Sequence, residues 1–457
     1  MKFGICSFQH GALSGLLCLL STLFSMNSHA QTAINPITID EAITNALQKD
    51  PNYLAYIASL NASKELERSN LGSLLPTISA SYNNYPSADT KSRNVVNQST
   101  SDWTSAQYRL NQSSILLKQP IIRMRNWANY LQSVSAAEQA AARLEFVKYQ
   151  TILRVVDLYL QLVYFESELK SREALVRAIT EKLAQTKAMQ ARKLASNLDV
   201  LRVQSDLDRA IFDVSISKKN LEMIKEQFAQ VTGENNHPKE LDLDLWNRII
   251  AITDLNQFKD SNITGNPEVI TLRKAIEIAE WEVKKIKTDH LPTVDFVASY
   301  AEESNAVASV LGRETKTTIS GVQIIIPLYQ GGSTAAQIRQ AQANLQKTRA
   351  ELMVVENRIK SDLIGAVGMM SAAADALRAA ISRVRRASAE QDSAVSGTRV
   401  GLASRTDVLD SEASVLVAKV EQVNAIKLWL NSHLSILALK GELLRVERGI
   451  SLAVTAK

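Results

Sequence analysis

Hydrophobic and polar residues alternate with a period of two in two stretches of the chain, 77–83 and 293–300. Such alternation predicts strands with one apolar and one polar face. Each stretch leads into a polar loop, 87–105 or 302–317, and then into a second strand that ends at a proline. Proline cannot donate to a sheet ladder, so it suits the end of a strand. We therefore predict two β-hairpins, at about 77–119 and about 293–326.

Most of the remaining chain has a helical pattern. Residues 121–232 contain neither Gly nor Pro and are rich in Ala, Leu, Glu, Gln, Lys and Arg, the strongest helix formers. After Gly332, two heptad series run along one segment, which predicts a helix with partners on two sides, as in a closed ring of helices. The apolar series is Ile338, Leu345, Leu352, Ile359, Ala366 and Ala373, and the small-residue series is Ala336, Ala343 and Ala350.

The second half of the chain repeats the plan of the first. The Pro51…Pro76 spacing recurs as Pro267…Pro292, and the Leu-Ala-Ser-x-x-Asp-Val-Leu sequence at 194–201 recurs at 402–409. In both copies Ser lies three residues before Asp, a helix N-capping pattern that predicts a helix-turn-helix hairpin. The predicted caps are Ser196 with Asp199, and Ser404 with Asp407.

These landmarks divide the chain into a signal peptide (1–30), a first structural repeat (31–240), a linker (241–265), a second structural repeat (266–447) and a C-terminal tail (448–457). Long helices are predicted at 121–193 and 333–399, with return helices at 197–232 and 404–440. The first long helix would measure about 110 Å at 1.5 Å per residue. The helical stretches 38–74 and 266–290 complete the plan. In the first repeat the return helix and the stretch 38–74, placed end to end, match the long helix in length, and in the second repeat the match is less close.

The first 30 residues have the pattern of a cleaved secretory signal: Lys2, an apolar run at 13–24, and the ending Ser28-His29-Ala30. A membrane anchor is the alternative, but the run is shorter than the ~20 residues a spanning helix needs. No later stretch approaches 18 consecutive apolar residues. A membrane-spanning part of this chain would therefore have to be a β-barrel.

Both cysteines of the chain, Cys6 and Cys18, lie in the predicted leader, so we expect neither disulfides nor thiolate metal sites in the mature protein. A lipid-anchored Cys18 is the alternative, although Leu17 precedes it where Gly or Ala is usual. The 52 Lys and Arg residues against 47 Asp and Glu are spread without long runs. This distribution predicts no nucleic-acid partner.

Several motifs occur in order along nearly the whole mature chain, from Thr38 to about Glu447. They are Asp40-Glu41-Ala42-Ile43, Asp50-Pro51, the two Leu-Pro pairs at 75–76 and 291–292, Ile326-Pro327-Leu328-Tyr329-Gln330-Gly331-Gly332, Val400-Gly401-Leu402, Thr406-Asp407-Val408-Leu409-Asp410 and Gly441-Glu442-Leu443. Together they resemble the TolC family of Gram-negative outer-membrane export channels.

The resemblance implies a fold that is mainly α with a small β part, and a homotrimer. Long coiled-coil hairpins would form an α-barrel across the periplasm, and four strands per chain would contribute to a twelve-stranded transmembrane β-barrel in outer-membrane lipid. It further implies a passive, non-enzymatic duct without cofactors, joined through a periplasmic adaptor to an inner-membrane transporter. The exported substrate, a polypeptide or a small toxic compound, stays open.

The resemblance assigns the two hairpin tips to the periplasmic entrance, where family members dock the adaptor. The tip residues are Lys193, Leu194, Ala195 and Ser196 in the first repeat, and Val400, Gly401, Leu402, Ala403 and Ser404 in the second. Lys193 departs from the family pattern, which has Gly there, and this leaves the partner's identity open. A simple helix turn with a C-terminal Gly401 is the alternative explanation, and both can hold at once.

Asp407 and Asp410 align with the aspartates that constrict the tunnel in the best-known family members. In a trimer they would place six carboxylates around a narrow axis, able to repel anions and hold a multivalent cation. Helix capping is the alternative role for Asp407, since an acid in the first turn stabilises the helix dipole. Asp410 lies beyond the capping position, and the first repeat has Arg202 there, so the repeat alone does not require an acid.

The remaining candidate residues, three histidines and two aromatic residues, do not indicate a catalytic or metal-binding site. His237, His290 and His433 are scattered without metal-ligand spacing, and we interpret them as packing or surface residues. Tyr85 and Trp103 flank a predicted outer loop and suit an aromatic girdle, although ordinary packing explains them as well. The alternative function is a secreted coiled-coil scaffold or adhesin without a pore, which predicts a water-soluble rod lacking β-sheet.

Overall fold

The computed structural model describes residues 36–92, 95–96, 99–100, 104–233, 237–239, 242–252, 262–307 and 310–443. The predicted signal peptide, Cys6, Cys18, Trp103 and the predicted C-terminal tail lie outside these residues, as does part of the predicted linker. Within them the fold is mainly helical with one larger antiparallel sheet, which confirms the predicted fold class.

Eight helices are described. They are α1 (Ile39–Lys49), α2 (Pro51–Gly72), α3 (Met124–Ala191), α4 (Asn197–Thr232), α5 (Leu243–Ile252), α6 (Pro267–Lys287), α7 (Ser333–Arg399) and α8 (Arg405–Lys440), and a 3-10 turn (Thr288–His290) follows α6. The strands are β1 (Thr77–Ser92), β2 (Val95–Val96), β3 (Ser99–Thr100), β4 (Thr104–Ile122), β5 (Thr293–Val307) and β6 (Val310–Ile325).

The predicted helical stretch 38–74 consists of two helices in the structure, α1 and α2. Asp50 ends α1 in an extended conformation, and its side chain accepts a hydrogen bond from the backbone N–H of Asn52 to cap α2 (3.0 Å). Pro51 occupies the first position of α2, where its missing N–H has no helical partner to lose. The Asp-Pro pair therefore ends one helix and starts the next.

The strands are longer than predicted, because much of the two predicted polar loops, 87–105 and 302–317, belongs to them. Polar residues beyond the apolar belt still pair through the backbone, and Glu302 adds an ion pair to Lys316 across β5 and β6 (3.4 Å). At the other end β4 continues through Pro120 to Ile122, with a register shift at the proline. Helix α3 consequently begins three residues later than predicted.

The larger sheet has the strand order β1-β4-β5-β6, antiparallel throughout. Its register brings apolar residues of all four strands together on one face, as in the row Ala80, Ile115 and Tyr300 and the row Phe296 and Val322, whereas Leu116 and Ile319 lie on the opposite face. Exposed apolar side chains cover this face and include Ile78, Tyr82, Phe296, Val322 and Ile324. Within the described residues, β1 and β6 each have one unpaired edge.

The long helices stand side by side in a single layer below the sheet. Helix α3 packs against α2 and α4 on one side and against α6 and α8 on the other, and α7 packs against α6 and α8. The short helices α2 and α6 thus continue the lines of α4 and α8. Helices α2 and α4 lie at one edge of the layer, and α7 lies at the other.

A second layer covers one face of the helix layer near its middle. Helix α1 buries Ile39, Ala42 and Ala46 against α3 and α4, while α5 packs against α7 and α8. The Tyr159 hydroxyl donates to the backbone carbonyls of Ile37 and Lys239 (3.2 and 3.0 Å) and so fastens the chain segments of this layer to α3. Burial raises the pKa of that phenol well above its usual range.

One described helix, α7, is long and apolar enough to cross a membrane by length and composition alone. Length and composition do not distinguish a spanning helix from a packed one. Helix α7 packs against both α6 and α8 in the helix layer.

Candidate functional site at the hairpin tips

The two hairpin tips have the same backbone geometry. In the first, the Leu194 N–H donates to the Met189 carbonyl (2.9 Å) and the Lys193 N–H to the Gln190 carbonyl (2.8 Å). In the second, the equivalent bonds run from Leu402 to Gly397 (2.8 Å) and from Gly401 to Thr398 (3.3 Å). Both are Schellman motifs, which satisfy the last carbonyls of a helix with a left-handed residue just past its end.

The left-handed position is occupied by different residues in the two tips. Gly401 has φ 78°, and Lys193 has φ 62°. Lys193 is the one residue other than glycine with positive φ in the described part of the chain. A side chain in this conformation brings Cβ close to the backbone and costs about 1–2 kcal/mol. The first tip therefore keeps the turn at an energetic cost that the second avoids.

Both return helices begin with the predicted caps. The Ser196 hydroxyl accepts from the Asp199 N–H (3.1 Å), and the Asp199 carboxylate accepts from the Ser196 N–H (2.9 Å). Ser404 and Asp407 make the same reciprocal pair at 3.2 and 2.7 Å. Hydrogen bonds from Ser196 lower the pKa of Asp199, and hydrogen bonds from Ser404 lower that of Asp407. Both acids are therefore ionised at neutral pH.

Apolar side chains project from both tips. Leu194, Val400 and Leu402 are exposed, and Leu402 reaches 87% exposure, whereas Ala195 and Ala403 are half-buried in the turns. Exposed apolar side chains at the end of a rod indicate a contact surface. We call the nine residues 193–196 and 400–404 the tip surface.

Asp407 and Asp410 differ in how their carboxylates are bound. Asp407 uses one oxygen for the backbone N–H and the hydroxyl of Ser404. Asp410 is exposed, and its carboxylate has no hydrogen-bond or ion-pair partner among the described residues; only its backbone carbonyl accepts, from Ser414. The capping role thus belongs to Asp407, and Asp410 is left available for other contacts.

The position of Asp410 on α8 follows from the second layer. Leu416, Lys419 and Val423 line a cavity of about 250 Å³ beneath Pro238 and Leu243, so this side of α8 is covered. Asp410 lies nine residues before Lys419, which is about two and a half helical turns and hence the opposite side. We call Glu412, Leu416, Lys419 and Val423 the covered stripe of α8, and Asp410, Ser414, Val417 and Glu421 the bare stripe.

The structure also contains polar clusters that the sequence analysis missed. Asp295 on β5 is 1% exposed and accepts two hydrogen bonds from Arg123, at 2.7 and 2.5 Å, with the Lys118 ammonium at 3.3 Å. The sequence contained a signal for this cluster, since a charged residue occupies a polar position at the start of the alternating strand at 293–300 and two basic residues, Lys118 and Arg123, flank Pro120. Arg383 on α7 binds Glu421 on α8 through both carboxylate oxygens (2.6 Å each).

The histidines and Tyr85 do not converge on the tips. His237 lies 3.2 Å from Glu166, His433 stacks on Trp429 in the core, and His290 ends the 3-10 turn. Burial lowers the pKa of His433. Tyr85 is exposed on β1, above the apolar belt of the sheet.

Comparison with known proteins points to one family. The sequence profile described as "Outer membrane efflux protein" matches residues 261–442. The chain is 23% identical to the "Proteases secretion protein PrtF" of Dickeya chrysanthemi over 428 residues, which cover 92% of this chain and 90% of that protein. It is 24% identical to the "Outer membrane protein TolC" of Vibrio cholerae serotype O1 over 402 residues, covering 84% and 86% respectively.

The fold is also found among solved structures. The outer membrane protein VceC from Vibrio cholerae superposes with a TM-score of 0.67 at 16% identity, and the match covers 89% of this chain and 96% of that one. At this identity the likeness concerns the fold. It extends over the sheet and the helix layer together.

Proposed function

We propose that this chain is an outer membrane efflux protein of the TolC type, as its match to that family over residues 261–442 supports, and that three copies form a passive export duct through the outer membrane. The sheet would span the membrane, and the helix layer would extend into the periplasm as a tunnel. An inner-membrane transporter, reached through a periplasmic adaptor, would supply substrate and energy.

The observation that carries this proposal is the open four-stranded sheet. Its apolar face is exposed, and both β1 and β6 have an unpaired edge among the described residues. Four strands cannot close a barrel, since the smallest membrane barrels have about eight. Unpaired backbone groups are costly in lipid. Three copies joined edge to edge would supply twelve strands and remove every free edge.

The helix layer supports the same assembly. Exposed apolar side chains lie along both of its edges, and a monomer gains nothing from leaving them in water. On α2 and α4 they include Leu54, Leu66, Leu201, Phe212 and Met223, and on α7 they include Met353, Val354, Ile364 and Met369. Pairing α7 of one copy with α2 and α4 of the next would bury both sets.

The tip surface is the proposed docking site for the adaptor. Its exposed leucines and valine are the apolar contacts that such a partner would cover. Asp410 is the proposed constriction residue, because its free carboxylate lies on the bare stripe a few residues from the tip. Asp407 has mainly the capping role.

For the exported substrate we propose polypeptide, as in a type I secretion system. The name of the Dickeya chrysanthemi relative refers to secretion of proteases. Small-molecule efflux is the second candidate, favoured by the family description itself. Co-purification of the native adaptor and transporter separates the two, because an ATP-driven transporter supports the first and a proton-driven pump the second.

The duct is tested by expressing the full chain, fractionating membranes and inserting the purified protein into planar bilayers. We expect it in the outer membrane, as a trimer that dissociates on heating in detergent, with stepwise ion conductance. A water-soluble monomeric rod without β-sheet signal in circular dichroism would instead support the pore-free scaffold. A trimer that never conducts would contradict the duct as well.

A further inference from the structure

Two ion pairs join α8 to its neighbours, one on each side of the helix layer. Arg383 on α7 binds Glu421, with side-chain exposures of 60% and 40%. Arg177 on α3 binds Glu412 at 3.2 Å, with exposures of 55% and 38%. The two pairs have the same chemistry and nearly the same exposure, so they differ mainly in the direction they face.

That direction follows from helical geometry. Glu412 and Glu421 are nine residues apart, about two and a half turns, and therefore lie on opposite sides of α8. Glu412 belongs to the covered stripe, which the second layer flanks. Glu421 belongs to the bare stripe, eleven residues or about three turns beyond Asp410.

The covered side must be the outside of a tunnel. Three copies of the second layer inside a ring of twelve helices would fill its bore, whereas outside they have unlimited room. The bare stripe of α8 then faces the bore. The Arg383 guanidinium then faces the bore as well, because it donates to both carboxylate oxygens of Glu421 at 2.6 Å.

We propose that Arg383 and Glu421 form a ring of three ion pairs in the bore, about 16 Å above Asp410, that keeps this level of the tunnel electrically neutral. This inference rests on the proposed trimeric duct. Each pair has no net charge, so the intact ring favours neither cations nor anions. Acidic segments of a passing polypeptide can contact the guanidinium, and basic segments the carboxylate.

Removing one partner leaves three uncompensated charges of one sign in a confined bore, where they act on every passing ion. The Arg383→Ala variant should raise the cation-over-anion permeability ratio about twofold or more, and Glu421→Ala should lower it by a similar factor. The double variant should return close to wild type. These shifts have opposite signs, which a loss of packing alone does not produce.

The measurement is the reversal potential of purified trimers in planar bilayers under a KCl gradient. Arg177→Ala and Glu412→Ala are the matched controls on the covered side and should leave the permeability ratio unchanged. Each variant is first checked for the heat-dissociable trimer. Where an alanine variant fails to assemble, Arg383→Gln and Glu421→Gln keep the side-chain size and carry the same expectation.

The possible outcomes separate the two proposals. A wild-type protein that does not conduct contradicts the duct itself. A conducting wild type whose Arg383 and Glu421 variants keep the wild-type ratio overturns the ring and leaves the duct intact. A changed permeability ratio in the Arg177 and Glu412 variants, with none in the Arg383 and Glu421 variants, would mean that the covered stripe of α8 faces the bore and would overturn the ring.

Discussion

Lys193 shows that one residue can weaken one of two otherwise equal turns. Its left-handed backbone conformation suits glycine, which Gly401 provides at the matching position. We expect Lys193→Gly to stabilise the first tip by about 0.5–1 kcal/mol, after the greater chain entropy of glycine is subtracted. Hydrogen exchange of the amides at 189–194 would measure this as slower local opening.

The second tip supplies the control. Gly401→Lys places the same side chain in the same backbone conformation and should speed amide exchange at 397–402. Equal exchange in Lys193→Gly and wild type would mean that Lys193 makes compensating contacts in the assembly. Because Lys193 belongs to the tip surface, adaptor binding should be measured for the same variants.

Substitution of Asp410 tests the proposed constriction at the scale of one residue. Its carboxylate is free of partners in the described structure and lies on the bare stripe. We expect Asp410→Ala to raise single-channel conductance or to relieve block by polyvalent cations, because the proposed trimer would lose three charges at the proposed constriction. Lys419→Ala, on the covered stripe, should change neither property. Conductance and block that both stay at wild-type values would exclude a constriction at this position.

At the scale of elements, a buried charge cluster fixes the junction between sheet and helices. Arg123, the residue between β4 and α3, holds the buried Asp295 on β5. We expect Arg123→Ala to destabilise the protein by about 3 kcal/mol or more, because it leaves a buried carboxylate with only Lys118 nearby. The midpoint of thermal dissociation of the proposed trimer would report the loss.

The neighbouring pair is a matched control for that junction. Arg125 binds Asp289, which is considerably more exposed than Asp295. Arg125→Ala should therefore cost about 1 kcal/mol or less. The double variant Arg123→Ala with Asp295→Ala should be less harmful than Arg123→Ala alone, and an equal or larger loss would show that the cluster does not act as a pair.

The helices could be predicted from the sequence because they depend on local patterns. The two ion-pair clusters could not, because they join residues that are far apart in the chain. The glycine-free stretch 121–232 and the two Ser-x-x-Asp caps each act over a few residues, so α3, α4 and α8 could be placed closely. The Arg123–Asp295 and Arg383–Glu421 pairs join residues 172 and 38 positions apart. Finding them requires the strand register and the relative rotation of two helices, which no local pattern contains.

The same reasoning explains the errors in the strands. Alternation marks only the part of a strand that has one apolar face, so predicted strand ends coincided with the end of the apolar belt. Beyond it, β5 and β6 continue as polar strands with backbone pairing through Asn305 and Arg313. Periodicity likewise predicted two seams on α7 without showing that one of them has no partner helix among the described residues.

At the scale of the whole molecule, the open edges of the helix layer would make the proposed trimer sensitive to single charges. Phe212 on α4 is 61% exposed in the single chain, so it contributes little to the stability of the isolated fold. In the trimer it would be buried against α7 of the next copy. We expect Phe212→Glu to abolish the heat-dissociable trimer, because an unpaired carboxylate would be buried at that seam. Phe212→Leu, which stays apolar, should assemble. The assay is the migration of unheated and heated membrane extracts, and a wild-type trimer yield from Phe212→Glu would place the subunit contact elsewhere than along α4.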